Sequence, residues 1–387
     1  MSKTYLITLT PTGKFFFGGD MKFIVNNKET QNTSYIIQSN KFPQQTSLLG
    51  MLRFLILRNN PEMFNAKEQK ILDSAKKRIN DKEDSPVEEL IGKTSFYKGK
   101  TDGYGKIKKL YPCFILKDGN PIQYLDRDYK YKVMFNDSKG YTNKKDVFDI
   151  PEIVGYKAKD GIPSLYHIDN IEIPENDIFV EDVSNGINRD IETGKVDENA
   201  YFKQVCYRFN DKIYEYEKAE YDHKREHKKD SNGKDVSHPC KYAFAFYAEL
   251  EITEEELGKY NKDNLVSLGG DNSQFVINIK AEEAKRNDTH GNCVVLESPA
   301  FICPDELQEV RFAITDTIPF KCMKTETQTV QAYNIGHHQY DYIEGLNLYD
   351  RGSVFYFRDE KKAKDFTTKL ESHADFYNIG YNHYRIK

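Results

Sequence analysis

The residues best suited to hold a metal gather in one polar tract, YDHKREHKKDSNGKDVSHPC. His223 and His227 form H-x3-H, and His238 with Cys240 forms H-x-C, so imidazoles and a thiolate are on hand for a tetrahedral zinc. The two pairs are loosely spaced and the tract is rich in lysine, which opposes a dication. A solvated loop is the competing reading, and no metal site is assigned. His337, His338 and His383 have the chemistry for general acid–base work, yet no carboxylate or nucleophile stands beside them in sequence. There is no Walker loop, no GxSxG, no HExxH and no paired-carboxylate motif. The residues therefore indicate no enzyme of a recognised reaction, and no cofactor is expected.

A second set of residues suits phosphate. In SNGINRD, Asn188 and Arg189 follow a glycine turn, which leaves a guanidinium able to grip a phosphate through two parallel hydrogen bonds; a surface ion pair would use the same residues. Two glycine turns, FFFGGD with Gly18, Gly19 and Asp20, and SLGGD with Gly269 and Gly270, permit close backbone approach. Both lack the GK[ST] that follows a nucleotide-cradling loop, and an ordinary tight turn is the plain alternative. The stretch SNKFPQQTSLLGMLRFLILR, residues 39–58, reads as a helix led in by a polar loop, with Thr46 or Ser47 as its cap. Its first-turn amides are expected to be free for an anion. Taken bare, the same stretch is a buried helix carrying Arg53 and Arg58.

The elements that position these residues are strand-rich. YLITL is a short strand, Asn59-Asn60-Pro61 stops the first helix, residues 62–81 read as a second surface helix, and DSPVEELI as a short capped one. From residue 92 to 181, short β-like pieces broken by Gly, Asn, Asp and Pro read as insertions. Tyr242–Leu250 (YAFAFYAEL) is a strong strand taken to open a second domain. After it come the helix TEEELGKYN, strands FVINI and CVVLESPAFI, helix PDELQEVRFAI, strand VFYF and an amphipathic helix over residues 359–372. That order fits a ferredoxin-like unit, and an interrupted version of it in the first half suggests a duplicated architecture. Domains are expected at 1–240 and 241–387.

The chain has 387 residues with a formal net charge of −5. Its pI is near 6.1 and its mean hydropathy is −0.74. This acidic balance argues against a free-standing nucleic-acid binder held by overall charge, but leaves room for a local basic groove, such as one built from residues 98–109, 224–229 or 361–364. The 27 tyrosines and 24 phenylalanines, with no tryptophan, suit base stacking and β-rich cores alike. Six cysteines without CxxC spacing and no apolar leader segment indicate a reduced, cytoplasmic setting; no run is long enough to span a membrane.

Taken in order, FFFGGD, PQQTSLLGMLR, GINRDIETGKVDENAYF, VSLGGDNSQF, ESPAFI, GSVFYF and NIGY resemble the RAMP-superfamily Cmr subunit three of type III-B CRISPR effector complexes, over about Tyr5 to Tyr381. The family's glycine-rich C-terminal loop is reduced here to Gly380. The resemblance implies an α+β fold of two ferredoxin-like (RRM-like) domains with long insertions. It also implies a non-catalytic subunit that holds the 5′ tag of crRNA between the large signalling subunit and the first backbone subunit, meeting target RNA only indirectly. A RAMP-type endoribonuclease that processes crRNA precursor is the alternative. With the resemblance, Gly18, Gly19, Asp20, Gln44, Gln45, Thr46, Ser47, Gly50, Arg53, Asn188, Arg189, Gly269 and Gly270 are expected to contact RNA backbone and phosphate. Gly50 has a second reading, in which it lets elements pack closely.

Overall fold

The computed structural model describes residues 2–19, 21–25, 33–78, 83–129, 132–135, 151–155, 165–168, 171–189, 192–193, 195–216, 227–262, 264–284, 290–327, 341–342 and 345–387. Strand β1 (Lys3–Pro11) alternates strictly, with Tyr5, Ile7 and Leu9 fully buried. After β2 (Met21–Val25) and β3 (Thr33–Gln38) comes helix α1 (Gln45–Arg58), which buries Leu48, Leu49, Leu52, Leu55, Ile56 and Leu57. Each such side chain contributes about 1.5–3 kcal/mol of burial. The N-cap is Gln44, with no side-chain cap bond, so neither Thr46 nor Ser47 caps this helix. At the other end the Asn59 and Asn60 amides donate to the carbonyls of Leu55 (3.0 Å) and Ile56 (2.7 Å), and Pro61 follows.

The surface helix predicted over residues 62–81 does not form. Phe64–Asn65 pairs with Lys70–Ile71 around Gln69, whose φ of 52° no α-helix accommodates, and among the described residues of this span only the single turn Asp73–Lys76 is helical. Helix α2 (Pro86–Ile91) forms as expected: Ser85 and Glu88 make a reciprocal capping box, and the Ser85 amide donates to Glu88 Oε2 at 2.8 Å.

Further strands of the first half include β4 (Ile107–Leu110), β5 (Phe114–Lys117), β6 (Asn120–Tyr124), β7 (Phe179–Arg189) and β8 (Val196–Phe209). They are followed by β9 (Tyr242–Leu250), helix α3 (Glu254–Lys262), β10 (Leu265–Ser267) and β11 (Gln274–Ala281). Among the described residues a nine-stranded sheet runs Ile171–Pro174, Leu165–Ile168, β6, β5, β9, β1, β11, β10, with β4 also paired to β9. Strand β1 is antiparallel to β9 (Lys3↔Leu250 to Leu9↔Phe244) and to β11 (Tyr5↔Ala281 to Pro11↔Phe275). The strand taken from sequence to open a second domain therefore sits at the centre of the first sheet. Long non-local pairing of this kind leaves no trace in local sequence.

A second layer holds β12 (Cys293–Leu296), a 3-10 turn (Pro304–Leu307), β13 (Phe312–Ile314), β14 (Val354–Tyr356), helix α4 (Glu360–Ser372) and β15 (Tyr384–Ile386), with strand order β13, β14, β12, β15. Its own core joins Val294 and Leu296 to Phe355, Phe357, Phe366 and Leu370. The helix predicted over residues 304–314 shrinks to the 3-10 turn, because Phe312–Ile314 pairs with β14. Helix α4 begins at Asp359, whose carboxylate accepts from the Lys362 amide at 2.9 Å. A third sheet extends β7 and β8 as a long hairpin, continued by β3, parallel to β8, and by β2. The class is α+β, dominated by strands. Among the described residues no helix is long and apolar enough to cross a membrane.

The chain's tail is latched onto this body by Asn382, fully buried at φ 61°. Its Oδ1 accepts from the Phe301 amide (2.8 Å), and its Nδ2 donates to the carbonyls of Phe301 and Leu370 (both 3.1 Å). Asn382→Ala leaves those buried groups unpaired and puts alanine in a left-handed conformation. Urea unfolding is expected to show a loss of about 2–5 kcal/mol; a loss under about 0.5 kcal/mol, the range of a neutral surface change, contradicts the latch.

Candidate nucleic-acid interface

The two glycine turns, some 250 residues apart, meet. Phe15 and Phe17 anchor the first turn in the core, their rings stacked at 5.0 Å and Phe17 stacked on Phe275 at 5.9 Å. Between them Phe16 pairs with the second turn: its carbonyl accepts from the Gly270 amide at 2.7 Å, and its amide donates to Ser273 Oγ at 2.9 Å. Gly269 has φ +89°, and a Cβ there would run into the Phe16 carbonyl. Only glycine allows this approach. Gly18 and Gly19 then emerge at the rim, Gly19 exposed.

The polar loop before α1 closes on this pair of turns. Ser39 Oγ accepts from the Phe17 amide (2.8 Å), the Asn40 amide donates to the Gly18 carbonyl (2.6 Å), and the Ser39 amide donates to Val205 on β8 (2.9 Å). A Cβ on Gly19 would overlap the Gln38 carbonyl. From the opposite side comes the tail: a Cβ on Gly380 would lie 2.8 Å from the Tyr111 carbonyl and 2.9 Å from the Gln45 side chain. The buried Tyr381 hydroxyl stands close to the Gln45 and Thr46 amides without making a full hydrogen bond, and burial pushes its pKa up. The first-turn amides of α1 thus face a neutral phenol, where the sequence predicts an open anion site.

In front of the loop lies a cavity of about 320 Å³ whose lining includes Lys41, Phe42, Gln44, Tyr124, Arg127 and Arg351. The Arg351 guanidinium stacks on the Phe42 ring at 3.6 Å and donates to the Cys113 carbonyl at 3.1 Å. Lys41 pairs with Glu175 (2.5 Å), and Arg127 with Asp350 (2.9 Å) and Asp316 (3.4 Å). Burial raises the Asp350 carboxyl, while Arg127 and Arg351 pull it back down. The cavity is thus lined by cations that already have partners, as the chain's overall acidity suggests. A larger cavity of about 540 Å³ shares Phe42, Tyr124 and Arg351 with it. There Tyr377 stacks on His383 at 4.4 Å, and His383 Nε2 donates to the Tyr377 carbonyl at 3.1 Å.

Gln44, Gln45, Thr46 and Ser47 belong to this site, Ser47 exposed and Gln45 buried. Arg53 does not. Its guanidinium donates to the Ile91 carbonyl (2.8 Å) and to Thr327 Oγ1 (2.9 Å), and burial lowers its pKa to about 10. It ties α1 to the end of α2, which corrects the phosphate role expected for it. Gly50 is exposed with open space around it, so close packing is not its reason. Asn188 and Arg189 end strand β7, where Arg189 pairs with Val196. Along β8 that lies nine residues from Val205 at the loop, about 30 Å of strand, so these two do not join the site. Asp20 lies outside the described residues. Sequence reasoning missed Lys41, Phe42 and Arg351; the KFP lead-in and the DRGS turn were their only local marks.

Among the described residues, those considered for zinc do not come together. His223, like His337 and His338, lies outside the described residues. His227 places Nε2 at 3.0 Å from Asp177 and Nδ1 at 3.1 Å from Asp235, stacks on Tyr214 at 4.1 Å and meets Tyr216 edge-on. His238 pairs instead with Glu215 at 2.8 Å, and Cys240 is buried. Burial acts to lower the His227 pKa, but hydrogen bonds to Asp177 and Asp235 outweigh it and raise it above the ordinary 6.5. A raised folded-state value stabilises the fold below about pH 6.5, and that contribution fades as pH rises through the folded value. Thermal melts of wild type and His227→Gln are expected to differ at pH 6 and to converge at alkaline pH. A difference independent of pH contradicts this pairing.

No curated protein sequence matches the chain. Solved structures similar to it include two chains of Cmr-beta complexes. One is a chain of the cryo-EM structure of the Type III-B Cmr-beta bound to cognate target RNA and AMPPnP, state 1, at 14% identity, with 99% of each chain covered and a TM-score of 0.45. The other is a chain of the Type III-B Cmr-beta bound to cognate target RNA, at 14% identity, covering 99% of this chain and 96% of that one, with a TM-score of 0.46. A family model described as CRISPR-associated protein (Cas_Cmr3) matches residues 7–386. With that model spanning nearly every residue, the chain belongs to the Cas_Cmr3 family of CRISPR-associated proteins.

Proposed function

We propose that this chain is a non-catalytic crRNA-binding subunit of a type III-B Cmr effector complex, holding the 5′ tag and bridging the large signalling subunit to the backbone. One observation carries the reading: motifs scattered from Gly18 to Tyr381 converge on the loop at residues 38–45. Single-stranded RNA is gripped by backbone amides, by charged side chains on phosphates and by aromatic stacking on splayed bases. The rim offers the exposed Gly19 and Gly269, and the cavity offers the Phe42–Arg351 stack. A cavity of about 320 Å³ is at the small end of ligand sites, a size that suits one base.

The paired cations bear on the mechanism. Lys41 and Arg127 would exchange carboxylates for phosphates rather than meet RNA bare, so affinity is modest for the isolated chain and rises where neighbouring subunits supply further positive charge. His383, buried with its Nε2 bonded to a backbone carbonyl, is set as a structural residue, which supports a role without RNA cleavage.

The architecture implied by the family is also part of this proposal. Strands β5, β9, β1 and β11, with α1 after β1 and α3 after β9, follow the antiparallel order 2-3-1-4 of a ferredoxin-like unit. Strands β13, β14, β12 and β15 repeat that order, with the 3-10 turn in the place of the first helix and α4 as the second. On this reading the first unit runs through β11 rather than ending near residue 240.

Purification of the chain with its neighbouring subunits, followed by sequencing of the bound nucleic acid, is expected to return crRNA with a repeat-derived 5′ end. Recovery of no such RNA overturns the proposal, and cleavage of labelled repeat RNA by the isolated chain overturns its non-catalytic part. In the same complex Lys41→Gln is expected to weaken RNA retention and to lower the slope of log affinity against log salt by about 0.7, one single-strand phosphate contact. An unchanged slope removes Lys41 from the contact surface.

A further inference from the structure

Outside the loop and its cavities, the described residues bring together one set of metal-ligating side chains: Cys303, Glu306 and His373, whose donor atoms all lie within 4.8 Å of one another. We propose that these three side chains bind a zinc ion, with water as the fourth ligand. The donors come from two elements. Cys303 caps the 3-10 turn and Glu306 lies within it, and His373 stands where α4 ends, 67 residues beyond Glu306. Such a separation hides the set from any reading of sequence spacing.

The histidine and glutamate donors are already close to the spacing a tetrahedral ion needs, and the Cys303 sulfur lies within 4.8 Å of both. His373 Nε2 lies 2.9 Å from Glu306 Oε1 and 3.1 Å from Oε2, while Oε2 also accepts from the Cys303 amide at 2.7 Å. That amide bond and the edge contact of Phe301 on the His373 ring, 5.1 Å between centroids, hold two of the donors in place. Zinc sits about 2.3 Å from sulfur and about 2.0 Å from nitrogen or oxygen, which spaces tetrahedral donors by about 3.3–3.5 Å. The histidine and glutamate need to part by only a few tenths of an ångström. All three residues are partly exposed, so an ion and its water have a path from solvent.

Charge and ligand type agree on the class of ion. A thiolate and a carboxylate carry two negative charges that a dication neutralises; Asp305 adds to the field, and Lys98, held over the Phe301 ring at 4.4 Å, opposes it. Sulfur and imidazole donors favour zinc and its neighbours over magnesium or calcium. Burial, Glu306 and Asp305 raise the Cys303 thiol, so in the free protein it keeps its proton. On binding, that proton goes to solvent, and the imidazole presents its Nε2 lone pair with its hydrogen on Nδ1. The ion would pin the end of α4 to the Pro304 turn, beside the Phe301–Asn382 latch.

Cobalt substitution of the full chain, purified without chelator, tests the site. Wild type is expected to show a thiolate-to-cobalt charge-transfer band that Cys303→Ser abolishes and Cys322→Ser retains. Zinc in hundredfold excess over its dissociation constant is expected to raise the melting temperature of wild type, and to leave those of Cys303→Ser and His373→Asn unmoved. Absence of the band in wild type, its survival in Cys303→Ser, or an equal melting shift in all three proteins overturns the proposal.

Discussion

The placement of β1 between β9 and β11 is the constraint on which the candidate interface depends. This pairing fixes Pro11 opposite Phe275, so the chain leaving β1 must run beside the turn that leads into β11. Phe15 and Phe17 then fall into the core, Phe16 pairs with Gly270, and Gly18 and Gly19 are delivered to the rim. Slipping the register by one residue would turn every side chain of β1 to the wrong face and pull the two glycine turns apart. The conformational demand at Gly269 and the close approach at Gly19 are consequences of that register.

The same packing shapes the cations of the proposed RNA face in a chain of net negative charge. Its cations are held rather than free: Arg351 lies flat on Phe42, Lys41 is beside Glu175, and Arg127 is between Asp350 and Asp316. A guanidinium fixed on a ring has lost most of its rotamer freedom before any ligand arrives, which reduces the ordering cost of contact. A paired lysine must instead give up one partner for another. Such a surface favours recognition of a shaped, single-stranded ligand over general attraction to phosphate.

Much of the secondary structure was legible because it is written locally. Helix α1 follows its leucine spacing, α2 its serine–glutamate capping box and α4 its Asp359 cap. The glycine turns were legible as turns. Their meeting was not, since it depends on strand pairing across some 250 residues. Arg53 misled because a guanidinium on an amphipathic helix looks alike in sequence whether it faces water or, as here, the carbonyl that ends another helix. The helices expected over 62–81 and 304–314 failed for related reasons. A positive φ at Gln69 and the pairing of Phe312–Ile314 with β14 override propensities worth only tenths of a kcal/mol per residue. The ligand set of Cys303, Glu306 and His373 was missed because folding, not spacing, assembles it.

The central claim is that the loop at residues 38–45, with the two glycine turns at its edge, is where RNA meets this chain. Ultraviolet cross-linking of the assembled complex, with crRNA carrying photoreactive bases in its 5′ tag and mass spectrometry of the cross-linked peptides, tests it most directly. The account predicts adducts on peptides containing Phe42, Tyr124 or the turns around Gly19 and Gly270. Cross-links confined to the second layer, on β13 to β15 and α4, with none on those peptides, would contradict it.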